Sequence, residues 1–284
     1  MKKLLMLLLC GGLLAACSSN YSVKVSDSDK VIVSGSELNI TKQDYFDYLL
    51  KTSGANEVLD EVLLSIADKE LTDQKAIDKQ VKEEEKTYEQ YADGGLDKYA
   101  KSLGYSSKDD FVNEKIVPVV KLNMLTKKYI EENLETMISE YQVVSFKKIV
   151  VDKESAALAI IKEATTKEAF DKKLKEAGTN GEDAGIVTKN SSLDDNLKKK
   201  LKDLSKLDKD GVYSEAIKLS DDKYAVVYVY DTDHKNKDDL IEALANDSNA
   251  KEDVEAKYLK KYHFTVNDDK LAKEIKNISD QYLE

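Results

Sequence analysis

The sequence predicts an α+β fold, in which a largely helical region built from the N- and C-terminal segments contains an inserted α+β module. Apolar residues recur at the i, i+3, i+4 spacing of amphipathic helices through residues 42–138, and this spacing returns in residues 240–283. Between them, residues 143–151 and 224–230 are rich in Val, Ile and Tyr, as β-strands are. The predicted domain ranges are 31–142 and 233–284 for the helical region and 143–232 for the module.

The first helical stretch is predicted from its capping and breaking residues. Thr41 stands three residues before Asp44, which is the spacing of a capping box, and Gly54 is expected to end the helix that they start. Further along, residues 108–138 are predicted to form one long helix. Pro118, the only proline in the chain, should kink that helix because it removes a hydrogen bond and clashes with the preceding turn.

The module is predicted to run from one strand through three helices to a hairpin. The second hairpin strand is almost wholly apolar or aromatic and should therefore be central. The last part of the chain is predicted to hold a helix from residue 240, a short strand and a closing helix. In order, the ranges are 143–151 (strand), 154–164 and 167–177 (helices), 178–185 (glycine loop), 193–204 (leucine-striped helix), 212–219 with 224–230 (hairpin), 264–266 (strand) and 271–283 (helix).

Residues 1–16 have the layout of a bacterial signal peptide. Two lysines precede an apolar run, residues 4–14, which is too short to span a bilayer comfortably as a permanent helix. Two alanines then lead directly into Cys17. This order resembles a bacterial lipobox, and the resemblance implies that the chain is cut before Cys17 and that its thiol is diacylated. The alternative is an ordinary secretory signal that happens to contain a cysteine.

Two acyl chains would hold the protein stably at a lipid bilayer, since each buried methylene contributes about 0.8 kcal/mol. Residues 17–30 are polar and are expected to be a tether. Because Cys10 lies in the removed segment, the mature chain has no cysteine pair for a structural disulfide.

Composition argues against several classes of partner. The net charge is −11, and removing Lys2 and Lys3 with the signal peptide makes it −13, which argues against nucleic acid as a partner. The chain contains neither arginine nor tryptophan. It therefore lacks the guanidinium forks that capture phosphate bidentately and the favoured stacking platform for sugars and cationic groups.

No motif predicts a catalytic residue, a metal or a cofactor. His234 is expected to be solvated and His263 to pack in the core, because neither has a second histidine or a cysteine at ligand spacing. Residues 206–217 fail as a calcium loop, since Lys206 and Ile217 occupy positions that require carboxylates. Tyrosine is abundant, and several tyrosines of the helical parts are candidates for a surface that holds apolar segments, although core packing is the commoner role. These candidates are Tyr45, Tyr48, Tyr99, Tyr129, Tyr258 and Tyr262.

The order of these motifs resembles the PrsA and SurA group of extracytoplasmic foldases. In the helical region, the matching stretches are 34–41, 64–73 and 261–268. In the module, the matches are to a parvulin-type domain: an opening strand at 146–151, a glycine loop at 181–185, a late turn at 210–214 and a final strand at 223–229. The resemblance covers nearly the whole mature chain and implies a helical chaperone domain around a parvulin-like module.

The module departs from active parvulins where those enzymes carry two facing histidines. The corresponding positions in this chain hold Lys148 and Ala225, and the segment 193–207 lacks the aromatic or methionine floor that grips proline. An isomerase must lower a barrier of about 18–20 kcal/mol, and neither side chain replaces an imidazole network. Little or no prolyl isomerase activity is therefore expected.

The resemblance implies a foldase or chaperone that is anchored through Cys17 to the extracytoplasmic face of the bacterial membrane and binds unfolded or newly secreted polypeptides. It is also compatible with a homodimer, which composition does not test. Two alternatives stay open at this point. One is an active parvulin-type isomerase, and the other is a surface lipoprotein that binds a solute or a partner in a deep pocket.

Overall fold

The computed structural model describes residues 25–36 and 38–283, so the predictions for the signal peptide, for Cys17 and for the first part of the tether lie outside the described residues. Two compact units are present. Unit 1 comprises the described parts of Met1–Ile66 and Ala256–Glu284, and unit 2 is Ala67–Glu255. The predicted α+β class is confirmed. The boundaries predicted for the inserted module, 143–232, lie within unit 2 and stay a prediction.

After residues 25–30, the described part of the chain forms a β-hairpin that leads into a long helical segment. Strands β1 (Val31–Gly35) and β2 (Leu38–Thr41) pair antiparallel, followed by α1 (Lys42–Leu49), a π-helical turn (Leu50–Gly54) and α2 (Ala55–Glu70). The predicted capping box is confirmed: the Asp44 amide donates to Thr41 Oγ1 at 3.1 Å, and the Thr41 amide donates to Asp44 Oδ2 at 2.9 Å.

Gly54 does not end the first helix, so that prediction is wrong. The residue lies inside the continuous helical segment, where a Cβ atom would come within 3.0 Å of Leu50 Cδ2 and 3.2 Å of the Leu49 carbonyl oxygen. A side chain at this position would require small shifts of these neighbours, so glycine eases close packing here and does not form a left-handed turn.

Five short and medium helices follow. Residues 108–138, which were predicted to form one long helix, are divided among the last three of them. Pro118 lies in the first turn of α6, directly after a π-helical turn (Val112–Ile116), and a break falls at Asn133. The backbone is helical without interruption from Lys108 through the π-helical turn to Glu132, so Pro118 lies within a longer helical segment, and the predicted kink stays a prediction. The helices are α3 (Gln74–Tyr91), α4 (Leu96–Ser102), α5 (Lys108–Phe111), α6 (Val117–Glu132) and α7 (Leu134–Tyr141).

The rest of unit 2 is built on an antiparallel sheet of order β4-β3-β7-β5, with β6 also paired to β7. Strand β7 is central, as its apolar sequence predicts. The glycine loop prediction is wrong for residues 181–185, because they belong to β4 and pair with β3. The elements are β3 (Val144–Val151), α8 (Glu154–Glu163), α9 (Lys167–Ala177), β4 (Gly181–Val187), α10 (Asp195–Leu204), β5 (Gly211–Val212), β6 (Ile217–Lys218) and β7 (Tyr224–Tyr230).

Helices cover both faces of this sheet. On one face, Phe170 of α9 packs on Tyr228 of β7 with ring centroids 5.3 Å apart, next to buried Ile149. On the other face, three leucines of α10 cover β3 and β7. Two separate apolar cores therefore share the central strands.

The chain ends with α11 (Lys237–Ala245), α12 (Ser248–Lys261) and α13 (Asp269–Ile278). The predicted strand at 264–266 is not formed, and α13 ends earlier than residue 283. Throughout residues 25–36 and 38–283, no helix is both long and apolar enough to cross a membrane.

Candidate functional site

Lys148 and Ala225, the two positions that the predicted resemblance matches to the parvulin histidines, lie on one face of the sheet, beneath α10. Val150 pairs with Ala225, and Lys148 pairs with Val227, one step along the same face. Ala225 is fully buried, and Leu197 and Leu201 of α10 are fully buried over the same face. Ala225 and these leucine side chains belong to one buried apolar cluster.

Lys148 has a partner within the sheet. Its ammonium group lies 2.8 Å from Glu182 Oε2, and the two residues are paired across β3 and β4. The lysine side chain is 21% exposed. A cross-strand ion pair of this kind contributes a few tenths of a kcal/mol up to about 1 kcal/mol and leaves no imidazole-like acid and base beside the apolar face.

Helix α10 is held in place at its first turn by Asp194. The Asp194 carboxylate accepts hydrogen bonds from the amides of Asn196 (2.9 Å), Leu197 (3.3 Å) and Ser220 (2.9 Å). Burial raises the pKa of Asp194, but the hydrogen bonds, led by those from Ser220, outweigh burial and lower this pKa below its usual range. One carboxylate thus caps α10 and fixes it to the turn between β6 and β7.

The six candidate tyrosines do not share one surface. In unit 1, Tyr45 and Tyr48 of α1 are 51% and 62% exposed, whereas Tyr258 is only 2% exposed and Tyr262 is half-buried. Tyr258 is therefore a core residue, and we remove it from the candidate surface.

The remaining two candidate tyrosines belong to unit 2. Tyr99 is half-buried and packs edge-to-face on Phe111, with ring centroids 5.8 Å apart, while Tyr129 is also half-buried. Of the six candidate tyrosines, only Tyr45 and Tyr48 are exposed enough to contact a binding partner.

These two tyrosines belong to a region, the hairpin and α1, in which five other apolar side chains are also exposed. Every residue of β1 is exposed, so neither face of this strand is covered, although an alternating strand usually buries one face. We name this region the hairpin–helix surface. Its residues are Val31, Ile32, Val33, Leu38, Tyr45, Tyr48 and Leu49, which are between 38% and 62% exposed.

The hairpin is fixed to α1 by polar contacts near its base. The Lys42 amide donates to the Lys30 carbonyl oxygen at 3.0 Å, and the Gln43 amide donates to the Ser28 carbonyl oxygen at 3.1 Å. Asp47 of α1 also contacts α13, because its Oδ2 atom lies 3.0 Å from Lys270 Nζ. The apolar side chains are thus presented on a supported framework, as an interaction surface requires.

Neither histidine contributes to this surface. His234 lies in a turn with φ +52°, and its Nδ1 atom is 3.9 Å from Glu135 Oε2. His263 is exposed, so the prediction that it packs in the core is wrong. No group of three or more His, Cys, Asp or Glu side chains that could hold a metal ion is found within the described part of the chain.

Comparisons with known proteins support the predicted resemblance. No protein-family profile matches this chain. The foldase protein PrsA of Pediococcus pentosaceus is 26% identical over 282 residues, which cover 90% of each chain. The predicted resemblance to the PrsA group is confirmed by this relative.

Solved structures of PrsA proteins are also similar. The Bacillus subtilis PrsA structure is 20% identical, with 86% of this chain and 97% of that chain covered and a TM-score of 0.40. The Bacillus cereus structure, named peptidylprolyl isomerase (PrsA), is 16% identical, with coverages of 89% and 99% and a TM-score of 0.47. At these identities and scores, the structures carry no functional assignment.

Proposed function

We propose that this protein is a chaperone of the PrsA type, anchored by lipid at Cys17 to the extracytoplasmic face of the membrane, that binds unfolded segments of newly secreted polypeptides. The observation that carries the proposal is the hairpin–helix surface, where seven large apolar side chains lie exposed between residues 31 and 49. Exposed apolar patches of this kind are typical of interaction sites, and the Pediococcus relative supports a foldase role.

A second part of the proposal is that the sheet of unit 2 has little or no prolyl isomerase activity. Its support is the fully buried Ala225 beneath α10 and the ion pair that engages Lys148. The sheet would then be a scaffold. A peptide assay tests this: the full mature chain should isomerise a Xaa-Pro peptide no faster than the uncatalysed rate. A clear rate enhancement, lost on replacing Lys148 with alanine, would favour the active-parvulin alternative.

Aggregation suppression tests the chaperone role. Residues 18–284 should reduce light scattering by a chemically unfolded substrate protein, and the triple variant Val31→Thr, Leu38→Gln, Tyr48→Gln should lose most of this effect. No suppression by the unaltered chain at several-fold excess would contradict the proposal.

A matched control separates the hairpin–helix surface from general surface hydrophobicity. The triple variant Val119→Thr, Leu103→Gln, Tyr91→Gln removes the same three residue types from unit 2, where those side chains are 54%, 52% and 80% exposed. We expect this control to suppress aggregation as the unaltered chain does. Equal losses in the two variants would show that no particular surface binds the substrate.

Membrane sedimentation tests the proposed lipid anchor at Cys17. In a bacterial host, the unaltered protein should sediment with membranes and the Cys17→Ser variant should not. Equal membrane association of the two proteins would contradict lipid anchoring at Cys17.

A further inference from the structure

A groove in unit 2 lies between α3 and α6 and is separate from both surfaces described above. We name it the α3–α6 groove. It encloses about 500 Å³, which is within the usual range of about 300–1,000 Å³ for ligand pockets. Leu71, Val120 and Met124 contribute its apolar floor, and all three belong to or pack against the core of α3 and α6.

The rim of the groove is acidic. Five carboxylate side chains and two ammonium groups line it. The ammonium groups are engaged within the chain, since Lys127 is paired with Glu242, and Lys128 is paired with Glu132 and lies 3.5 Å from Glu70. The lining cations therefore do not offset the remaining rim carboxylates.

Two of those carboxylates have no counter-ion among the residues that the structure describes. Glu84 and Glu131 form no ion pair with any residue in the described part of the chain, and both line the groove. A third, Glu83, has only a 3.8 Å contact with the exposed Lys79. These groups would attract a positively charged ligand at moderate ionic strength.

The side chains of Gln80 and Asn123 add neutral hydrogen-bonding capacity. Both line the groove, and neither side-chain amide has a partner among the described residues. Each amide can donate and accept, as the backbone of an extended peptide requires. The groove thus combines an apolar floor, free amides and an acidic rim.

We propose that the α3–α6 groove binds short extended segments of unfolded polypeptides in which apolar side chains are flanked by lysine or arginine. Charge complementarity selects this occupant: the basic residues face the rim carboxylates, and the apolar residues cover the floor. The proposal rests on the chaperone function proposed above and gives that function a sequence preference.

Peptide binding to the full mature chain tests this preference. The probe is a fluorescein-labelled peptide with central leucine and phenylalanine residues flanked by lysines, and its counterpart carries glutamates in place of the lysines. Fluorescence anisotropy should show binding of the lysine peptide only, and added salt should weaken it. Equal binding of the two peptides would overturn the proposal.

A double variant locates the binding site. Glu84→Gln with Glu131→Gln should weaken binding of the lysine peptide about fivefold, as expected for the loss of two charge contacts, one at a half-buried and one at an exposed side chain. The matched control is Glu57→Gln with Glu61→Gln, which removes the same charge from exposed positions of α2 and should leave the affinity unchanged. An unchanged affinity in the groove variant, or equal losses in both, would place the peptide elsewhere and overturn the proposal.

The two proposals can fail separately. If the protein suppresses aggregation but does not bind the lysine peptide, the groove proposal is wrong and the chaperone proposal is retained. If the groove binds the peptide but the protein does not suppress aggregation, the chaperone proposal is wrong.

Discussion

The sheet face beneath α10 and the hairpin–helix surface are both rich in apolar residues, but the first is buried and the second is exposed. Beneath α10, Leu197, Leu201 and Ala225 are fully buried, whereas Leu38 and Tyr48 of the hairpin–helix surface are 59% and 62% exposed. Burial of the first set of side chains stabilises the folded protein. The second set remains available to a partner. The comparison shows that helix α10 covers the sheet face of unit 2, whereas the exposed apolar residues of the hairpin–helix surface belong to unit 1.

The largest effect is expected from a cavity beneath α10. Leu201→Ala should lower the free energy of unfolding by about 2–5 kcal/mol, because it removes fully buried methyl groups and leaves a void. Urea denaturation measures this loss. The control Val119→Ala, at a side chain that is 54% exposed, should change stability by less than about 0.5 kcal/mol. Similar values for the two variants would show that α10 does not close the sheet face.

A somewhat smaller effect should follow from restoring a histidine. Ala225→His adds a ring where no space is free, and overpacking of this kind costs about 1–3 kcal/mol. We expect no gain in isomerase activity, even when Lys148→His is added. The control is Lys148→His alone, at a partly exposed position, which should unfold close to the parent. A stable, active double variant would show that the pocket is open.

The contact between α1 and α13 should contribute less to the free energy of unfolding than the packing beneath α10 does. Hydrogen bonds from Lys270 and then Gln43 lower the pKa of Asp47. A carboxylate with a lowered folded pKa stabilises the protein above its unfolded pKa of about 3.9, and this contribution is lost as pH falls through the folded value.

Lys270→Met should therefore cost less than about 1 kcal/mol at pH 7, since the pair is partly exposed. The difference from the parent should shrink towards zero at acid pH, when Asp47 is protonated in both proteins. Lys276→Met, on the same helix, should show no such dependence. Urea unfolding at several pH values measures both, and a difference that grows on acidification would contradict the assigned contact.

The smallest stability change is expected at the hairpin–helix surface itself. Tyr48→Gln should alter the free energy of unfolding by less than about 0.5 kcal/mol, because the side chain is 62% exposed. Its effect should appear in binding of unfolded substrate instead. Thermal unfolding in the absence of substrate measures the first quantity. A large loss of stability would mean that this side chain supports the fold.

Local patterns predicted most of the elements. The Thr41–Asp44 capping box, the central apolar strand β7 and the leucine stripe of α10 all follow from short-range residue spacing. Two predictions that relied on glycine residues, the helix end at Gly54 and the loop at 181–185, were wrong. Gly54 permits close packing inside a helix, and Gly185, at φ +65°, lies in strand β4. Both functions depend on neighbours that the local sequence does not specify.

The candidate surfaces were predicted less completely. Tyrosine abundance identified Tyr45 and Tyr48, but it also selected Tyr258, because a helical stripe does not reveal which tyrosines are covered. The valines of β1 resembled an ordinary strand, and their exposure reflects the absence of a covering element among the described residues of unit 1. The α3–α6 groove requires the register between two helices, which no local pattern provides.

The distant strand pairing also determines the order of events in folding. Strand β3 pairs with β7, so the central pair of the sheet cannot form until residue 230 has been synthesised. Unit 1 takes its segments from residues 25–66 and 256–283, so it closes later still. Contacts of such large sequence separation are slow to form. Until then the apolar strands β3 and β7 lack their pairing partners, as do the apolar segments of the unfolded polypeptides that we propose this protein binds.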